Sequence, residues 1–192
     1  MEREILFTGI GGQGVQLAAK SLATAAMREG RRVLMFGTYG GMMRGGDTDA
    51  TVVIGDESLI TPPVVDHAWA AFAMHHLSWP TMGAKLRPDG FMLKNEAVFL
   101  GETNHPGATL ALPATRIATE AGMPQASSMV ALGGFAAATG IVRLETLLEI
   151  AEEVLPSYRV QFAETNRKAL SMGYEAVDGL LCPAWPMAEA VA

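Results

Sequence analysis

The feature that most constrains this chain is a glycine-rich turn near its start, Gly9-Ile10-Gly11-Gly12-Gln13-Gly14. An apolar segment with strand character, residues 4–8, precedes the turn, and helical spacing follows over residues 13–28. Gly30 is placed to end this helix, and residues 32–36 predict a second strand. A strand, a glycine turn, a helix and a strand in this order are typical of a βαβ unit with a right-handed crossover in a parallel sheet.

The remaining chain continues the same alternation of short strands and helices. The patterns predict strands at residues 50–54, 69–73, 90–93 and 109–112, and helices at residues 114–121, 128–139, 144–155 and 160–172. Gly173 is the expected stop of the last helix, and the helix at 128–139 is apolar enough on all sides to be buried. We therefore expect an α/β fold in three layers, a mostly parallel twisted sheet with helices on both faces and a Rossmann-like first βαβ unit. Residues 1–178 are expected to form one domain, followed by an irregular tail, 179–192, packed on a surface or a partner.

Composition excludes several classes of protein. The 192 residues carry 14 Lys and Arg against 20 Asp and Glu, a net charge of −6, so a nucleic-acid binder is not expected. The single cysteine, Cys182, excludes an internal disulfide. For the same reason this chain alone cannot build an iron–sulfur cluster or a Cys-rich zinc site. Neither a signal peptide nor a membrane span is visible, so the expected location is the cytoplasm. Only 18% of the residues are charged, which favours a surface partly covered by other subunits.

The glycine turn matches the G-x-G-x-x-G pattern in the context that gives it chemistry. Glycines let a ligand approach the backbone, and the start of the helix offers unpaired N–H groups to a phosphate. A dinucleotide site also needs an acidic residue at the end of the second strand, where this chain has Phe36-Gly37-Thr38. Binding of NAD or FAD, a packing role for the glycines, and contact with another phosphate-bearing ligand therefore all remain open.

A second glycine-rich segment follows the second predicted strand. Residues 37–49 read as a loop with five glycines, and Arg44 is an isolated cation among them. Loops at the carboxyl ends of neighbouring parallel strands share one crevice, so this loop is expected beside the first turn. The candidate ligand-contacting or active-site-facing residues are Gly9, Gly11, Gly12, Gln13, Gly14, Tyr39, Gly40, Met43, Arg44, Gly45 and Gly46.

Other polar residues give weaker signals. The four histidines, His67, His75, His76 and His105, show no metal-ligand spacing. Ser127 and Ser128 are placed to cap the buried helix. Cys182 has no basic neighbour in sequence that would activate it. The chain holds no complete catalytic set.

Two stretches of sequence resemble a known family: G-I-G-G-Q-G-V and T-Y-G-G-M-M-R-G-G-D-T-D-A-T-V-V-I-G-D. Together they resemble the gamma subunit or gamma domain of the 2-oxoacid:acceptor oxidoreductases, which act on pyruvate, 2-oxoglutarate, 2-oxoisovalerate, indolepyruvate or phenylglyoxylate. The family pattern S-Y-G-x-x-x-R-G-G carries over onto Tyr39, Gly40, Arg44, Gly45 and Gly46, with Thr38 in place of the serine. Later stretches, M-V-A-L-G-G and A-E-T-N-R-K-A-L-S-M-G-Y-E, extend the resemblance to about Tyr174. Ser128 stands where the family often has an asparagine.

The resemblance implies a subunit that is not itself catalytic. Complexes of this family oxidatively decarboxylate a 2-oxoacid with thiamine diphosphate, usually forming an acyl-CoA, and pass electrons through iron–sulfur clusters to ferredoxin or NAD. Alpha and beta subunits would hold thiamine diphosphate and Mg²⁺, a ferredoxin-like delta subunit would hold clusters, and NAD-linked members would add a subunit that handles NAD or FAD. No cofactor or metal is expected in this chain.

We therefore expect a gamma subunit whose two glycine loops face the active site and the coenzyme A channel, with Arg44 as the polar anchor. Two alternatives remain at this point. One is a free-standing Rossmann-type nucleotide-binding enzyme, against which the missing acidic residue counts. The other is a scaffold subunit without any ligand contact.

Overall fold

The computed structural model describes residues 1–39, 46–62, 64–77, 79–100 and 103–186 of the 192. The strands are β1 (Glu2–Ile10), β2 (Arg32–Tyr39), β3 (Asp47–Gly55), β4 (Ala68–Ala73), β5 (Leu86–Asn95) and β6 (Thr109–Leu112). The helices are α1 (Val15–Arg28), α2 (Trp79–Met82), α3 (Ala114–Glu120), α4 (Ser127–Thr139), α5 (Leu144–Ile150) and α6 (Ala163–Glu175). Short 3-10 turns cover Gly83–Lys85, Pro124–Ala126 and Ser157–Phe162.

The six strands form one mixed sheet in the order β2-β3-β1-β4-β5-β6. Strands β1, β4, β5 and β6 pair in parallel, whereas β3 is antiparallel to both of its neighbours, β1 and β2. β1 and β2 consequently run in the same direction, as a βαβ unit requires, but β3 lies between them. The short connection after Tyr39 returns the chain beside β2 as a hairpin, which explains the single reversed strand. The predicted mostly parallel α/β fold is confirmed.

Alternation along the strands divides the core between the two faces of the sheet. Ile5 and Phe7 of β1 point into the large cluster that α1 and α3–α6 cover. Leu6, on the opposite face, packs with Val65 and Met82, so α2 and loop residues cover this side. Helices lie on both faces as predicted, but the longer ones all lie on one face.

Helix α4 occupies the centre of the helical layer, because all 13 of its residues are buried. It crosses α6 at very close range: a Cβ on Gly173 would overlap the carbonyl of Val130, and one on Gly133 would overlap the carbonyl of Leu170. The prediction that Gly173 stops the last helix is wrong. Gly173 lies inside α6, and its missing side chain permits this crossing.

Several predicted boundaries differ from the structure because strand pairing and packing extend or shorten the elements. β2 continues to Tyr39 and β3 begins at Asp47, so the predicted loop 37–49 is shorter. The helix predicted to 155 ends at Ile150, and the one predicted from 160 begins at Ala163 after a 3-10 turn. Ser127 and Ser128 do not cap α4 through their side chains, since the turn Pro124–Ala126 leads directly into it.

The described part of the tail packs at the carboxyl end of α4. The N–H groups of Leu181 and Cys182 donate to Ala138 O, and that of Ala184 donates to Thr139 O. Trp185 donates from Nε1 to Ile141 O, and Arg31 stacks on its ring with the guanidinium carbon 3.8 Å from the ring centroid. Among the described residues, no helix has the length and apolar character of a membrane span.

Candidate functional site

The glycine turn connects β1 to α1 with two residues in the left-handed region. Gly12 has a φ of +101° and Gly14 a φ of +77°, conformations that residues with a Cβ rarely adopt. Gly14 also lies against α4, because a Cβ there would stand 2.5 Å from Ser128 Oγ. The two positive φ angles and this contact explain why glycine occupies both positions.

Gln13 stabilises the turn from within. Its Oε1 accepts the N–H of Ile10 at 3.0 Å, and its Nε2 donates to the carbonyl of Met74, beyond the end of β4, at 3.4 Å. A Cβ on Gly9 would lie 2.7 Å from this side chain. Gln13 thus holds the turn against the neighbouring strand, a positioning function that the motif alone does not reveal.

The two glycine-rich segments meet as predicted. The N–H of Gly11 donates to the carbonyl of Gly46 at 2.8 Å, so the end of the second segment lies against the first turn. Tyr39 ends β2, where it pairs with Thr48. Gly40, Met43, Arg44 and Gly45 lie outside the described residues.

A cleft of about 660 Å³ opens beside the glycine turn, at the amino end of α1. No side chain of the described residues caps this end of the helix, whose first turn leaves backbone N–H groups without helical partners. Residues from β2, β3, α1, α4, α6 and the turn Ser157–Phe162 contribute to the walls. The lining residues are Ile10, Gly11, Gly12, Gly14, Val15, Gln16, Leu17, Lys20, Met35, Thr48, Gln125, Ser128, Met129, Val154, Leu155, Pro156, Arg159 and Asn166.

The charge of the cleft favours an anionic ligand. Lys20 and Arg159 line it, and no described lining residue is acidic. Lys20 donates from Nζ to the carbonyl of Val154 at 2.9 Å, which fixes its ammonium group at the wall. The partial positive charge at the start of α1 adds to these two cations.

Two buried polar side chains face the same cleft. Ser128 is 1% exposed and Asn166 is 6% exposed, and both line the cleft. Neither forms a side-chain hydrogen bond with any residue that the structure describes. Buried polar groups usually have partners, so a hydroxyl and an amide of this kind indicate hydrogen-bonding capacity available to a ligand or to water.

Gln16 links the cleft to the sheet. Its Nε2 donates to the carbonyl of Asp49 at 2.7 Å, and it passes across Gly37, where a Cβ would overlap it. The Gln16 contact therefore fixes the first turn of α1 relative to β2 and β3. Separately, burial raises the pKa of the Asp49 carboxyl above its usual range.

Three of the four histidines contact neighbouring groups of the fold. His75 and His76 stack with ring centroids 4.4 Å apart, and burial together with His76 lowers the pKa of His75. His76 Nδ1 lies 3.2 Å from Val98 O, and His105 Nε2 lies 2.7 Å from Gly90 O. Within the described ranges, no group of three or more His, Cys, Asp or Glu residues is arranged to hold a metal ion.

Sequence patterns missed several residues of the cleft: Lys20, Gln125, Ser128, Arg159 and Asn166. They come from three parts of the chain that only folding brings together. For Ser128 the sequence does contain a signal, because it is a polar residue at the start of an otherwise apolar helix. Its interpretation as a helix cap was wrong.

The fold and the cleft together define an α/β protein with a positively charged, glycine-bounded cleft. Residues 4–176 match the model of the family described as pyruvate ferredoxin/flavodoxin oxidoreductase. The chain is 34% identical over 187 residues to the 2-oxoglutarate synthase subunit KorC of Methanothermobacter marburgensis, covering 92% of this chain and 97% of that one. It is 33% identical over 178 residues to the common gamma subunit of the pyruvate/ketoisovalerate oxidoreductases of Thermococcus kodakarensis, covering 86% and 92%.

Solved structures agree with these relatives. The crystal structure of a keto/oxoacid ferredoxin oxidoreductase gamma subunit from Geobacter sulfurreducens superposes with a TM-score of 0.78 at 29% identity, covering 92% of this chain and 96% of that one. This chain belongs to the pyruvate ferredoxin/flavodoxin oxidoreductase family. Within that family it is a gamma subunit of a 2-oxoacid ferredoxin oxidoreductase, and the resemblance seen in the sequence is confirmed.

Proposed function

We propose that this gamma subunit contacts coenzyme A in a complex that converts a 2-oxoacid to an acyl-CoA, and that it performs no bond-breaking step itself. The observation that carries the proposal is the cleft at the start of α1, with Lys20 and Arg159 in its walls and no acidic residue among its described lining. Coenzyme A carries several phosphate groups, and cations together with helix N–H groups are the partners that phosphates prefer.

In this proposal each part of the chain has a distinct function. The N–H groups of the first turn of α1 and the two cations bind phosphate oxygens, while Ser128 and Asn166 orient the ligand by hydrogen bonds. Arg44, in the adjoining glycine segment, is the further polar anchor. Thiamine diphosphate, Mg²⁺ and the iron–sulfur clusters belong to alpha, beta and delta subunits, where the decarboxylation and electron transfer take place.

The dinucleotide-binding alternative has less support from the geometry. The acid that would hold the ribose hydroxyls is missing, and the end of β2 is separated from β1 by β3, about 9.6 Å for two strand spacings. Tight binding of NADH to the isolated chain, measured by fluorescence titration, would favour that alternative.

The test uses the assembled enzyme with substitutions in this subunit. Arg159→Ala and Arg44→Ala should each raise the apparent KM for coenzyme A about 10- to 100-fold, because a hydrogen bond to a charged group contributes about 1.5–3 kcal/mol. The KM for the 2-oxoacid should stay unchanged. Arg116→Ala, an exposed arginine on α3, is the matched control and should leave both constants unchanged.

Each alternative outcome has a defined meaning. If both arginine variants assemble normally and keep the wild-type KM for coenzyme A, the subunit is a scaffold without ligand contact. Size-exclusion chromatography of each complex distinguishes this outcome from a failure to assemble.

A further inference from the structure

Strand β2 lies at one edge of the sheet, with β3 as its neighbour. An edge strand presents a row of unpaired N–H and C=O groups, which natural proteins usually protect with charges, prolines or a covering element. Residues 33–37 in the middle of β2, Val-Leu-Met-Phe-Gly, contain neither a charge nor a proline. Within the described ranges no strand pairs with the outer side of β2, so this edge is available to another strand.

Three consecutive side chains in the middle of β2 are apolar and exposed, on both faces of the sheet. Leu34 is 40% exposed, Met35 37% and Phe36 49%. Leu34 and Phe36 lie on the face that α2 covers elsewhere, since they pair with Val53 and Thr51. Met35 lies on the face of the long helices. Three consecutive exposed apolar residues on an unprotected edge are typical of a surface that is covered in the assembled protein.

We propose that β2 pairs with β2 of a second copy of this chain, antiparallel, about a two-fold axis at Met35. This register places Met35 opposite its own copy and Leu34 opposite Phe36 of the other copy, twice. Aromatic and aliphatic pairs across strands stabilise a sheet. Shifting the axis to Leu34 would place Arg32 opposite Phe36, and shifting it to Phe36 would leave Leu34 opposite Thr38.

Charge supports the same register. Arg32 is exposed and forms no ion pair with any described residue. The half-buried Asp49 carboxylate forms none within the described residues either, although Lys85 lies near enough to favour its charged form. Arg32 of one copy would stand opposite Thr38 of the other, and Thr38 pairs with Asp49 on β3. Residues in one row share a face, and two strand spacings amount to about 9.6 Å, within reach of two extended side chains of opposite charge. The two-fold axis creates this arrangement twice, so the strand is complementary to itself.

The interface is tested by a disulfide across the axis. Only residues close to the axis come near their own copies, so Met35→Cys should form a covalent dimer of the full chain under mild oxidation, detected by non-reducing electrophoresis. Leu100→Cys is the control: this side chain is more exposed than Met35, 69% against 37%, but lies in the loop after β5, far from β2, and should remain monomeric under the same conditions. Cys182 is present in both variants, so a cross-link through Cys182 would appear in both and would not be mistaken for one at position 35.

Light scattering of the full-length chain provides an independent measurement. We expect a dimer for the wild type and a monomer for Phe36→Lys, whose circular dichroism should match the wild type because the side chain is half exposed. The proposal is overturned if the wild type is a monomer at both ends of a 100-fold range of protein concentration and Met35→Cys forms no cross-link. A cross-link formed by the isolated chain but abolished in the assembled enzyme also overturns it, because that result would assign this edge to another subunit.

Discussion

At the scale of single residues, Gly12 and Gly14 look equivalent in the motif but differ in their surroundings. A Cβ on Gly12 meets no atom within 4 Å, whereas one on Gly14 meets Ser128 Oγ. Gly12→Ala should therefore cost only the backbone strain of a positive φ, on the order of 1–3 kcal/mol of unfolding free energy. Gly14→Ala should cost more, because steric overlap with a buried side chain is added.

The double variant Gly14→Ala, Ser128→Ala isolates the steric part. Removing the hydroxyl leaves the Ser128 Cβ 3.5 Å from the new methyl group, an ordinary contact. Urea unfolding should show that Gly14→Ala costs less stability in the Ser128→Ala background than in the wild type. If Ser128→Ala gives no recovery, the contact between the turn and α4 is not what selects glycine at position 14.

At the scale of the elements, the crossing of α4 and α6 depends on two glycines within helices. Gly173→Ala should reduce the free energy of unfolding by about 3 kcal/mol or more, because the methyl group overlaps backbone atoms of Val130 that cannot rotate away. Ser171→Ala, two residues earlier on the same helix, should change it by less than about 0.5 kcal/mol. Thermal and urea unfolding measure both. Equal stabilities would mean that α6 shifts along α4 without cost.

The elements also differ in how far the sequence predicts them. Strand β6 was predicted at its exact bounds, and α4 was predicted as a buried helix, because an apolar segment bounded by turn residues has few alternatives. The position of β3 between β1 and β2 was not predictable, since the apolar pattern of a strand does not encode its neighbours. The helix stop predicted at Gly173 is wrong because helix-ending and helix-crossing glycines look alike in sequence.

At the scale of the whole molecule, the tail closes the structure by joining the carboxyl end of α4 to the start of β2. Trp185→Ala removes both the donated hydrogen bond to Ile141 O and the stacking of Arg31, and should reduce the free energy of unfolding by about 2 kcal/mol. Trp185→Phe keeps an aromatic ring under Arg31 and should lose about half as much. Circular dichroism during urea unfolding is the appropriate measurement.

Alkylation of Cys182 gives a second measurement of tail docking. Burial raises the pKa of this thiol, so little thiolate is present at neutral pH and the reaction should be slow. Detachment of the tail in Trp185→Ala should accelerate the alkylation of Cys182. The free energy of unfolding of the same variant shows whether the faster reaction comes from the tail alone or from unfolding of the whole chain. An unchanged rate together with unchanged stability would contradict a stabilising function for the tail.

The sequence by itself determined the fold class, the glycine turn at the start of α1 and the family, because these depend on local spacing and on contiguous motifs. Tertiary structure alone decided what surrounds the turn. Ser128, Arg159 and Asn166 lie more than 100 residues from Gly14 along the chain, and packing of α4 and α6 brings them to one cleft. Tertiary structure also decided that β2 lies at an edge of the sheet, so that the apolar side chains of this strand are exposed. Backbone conformation and short-range spacing are encoded locally, whereas neighbours across a sheet or a cleft depend on the free energy of the whole packed chain.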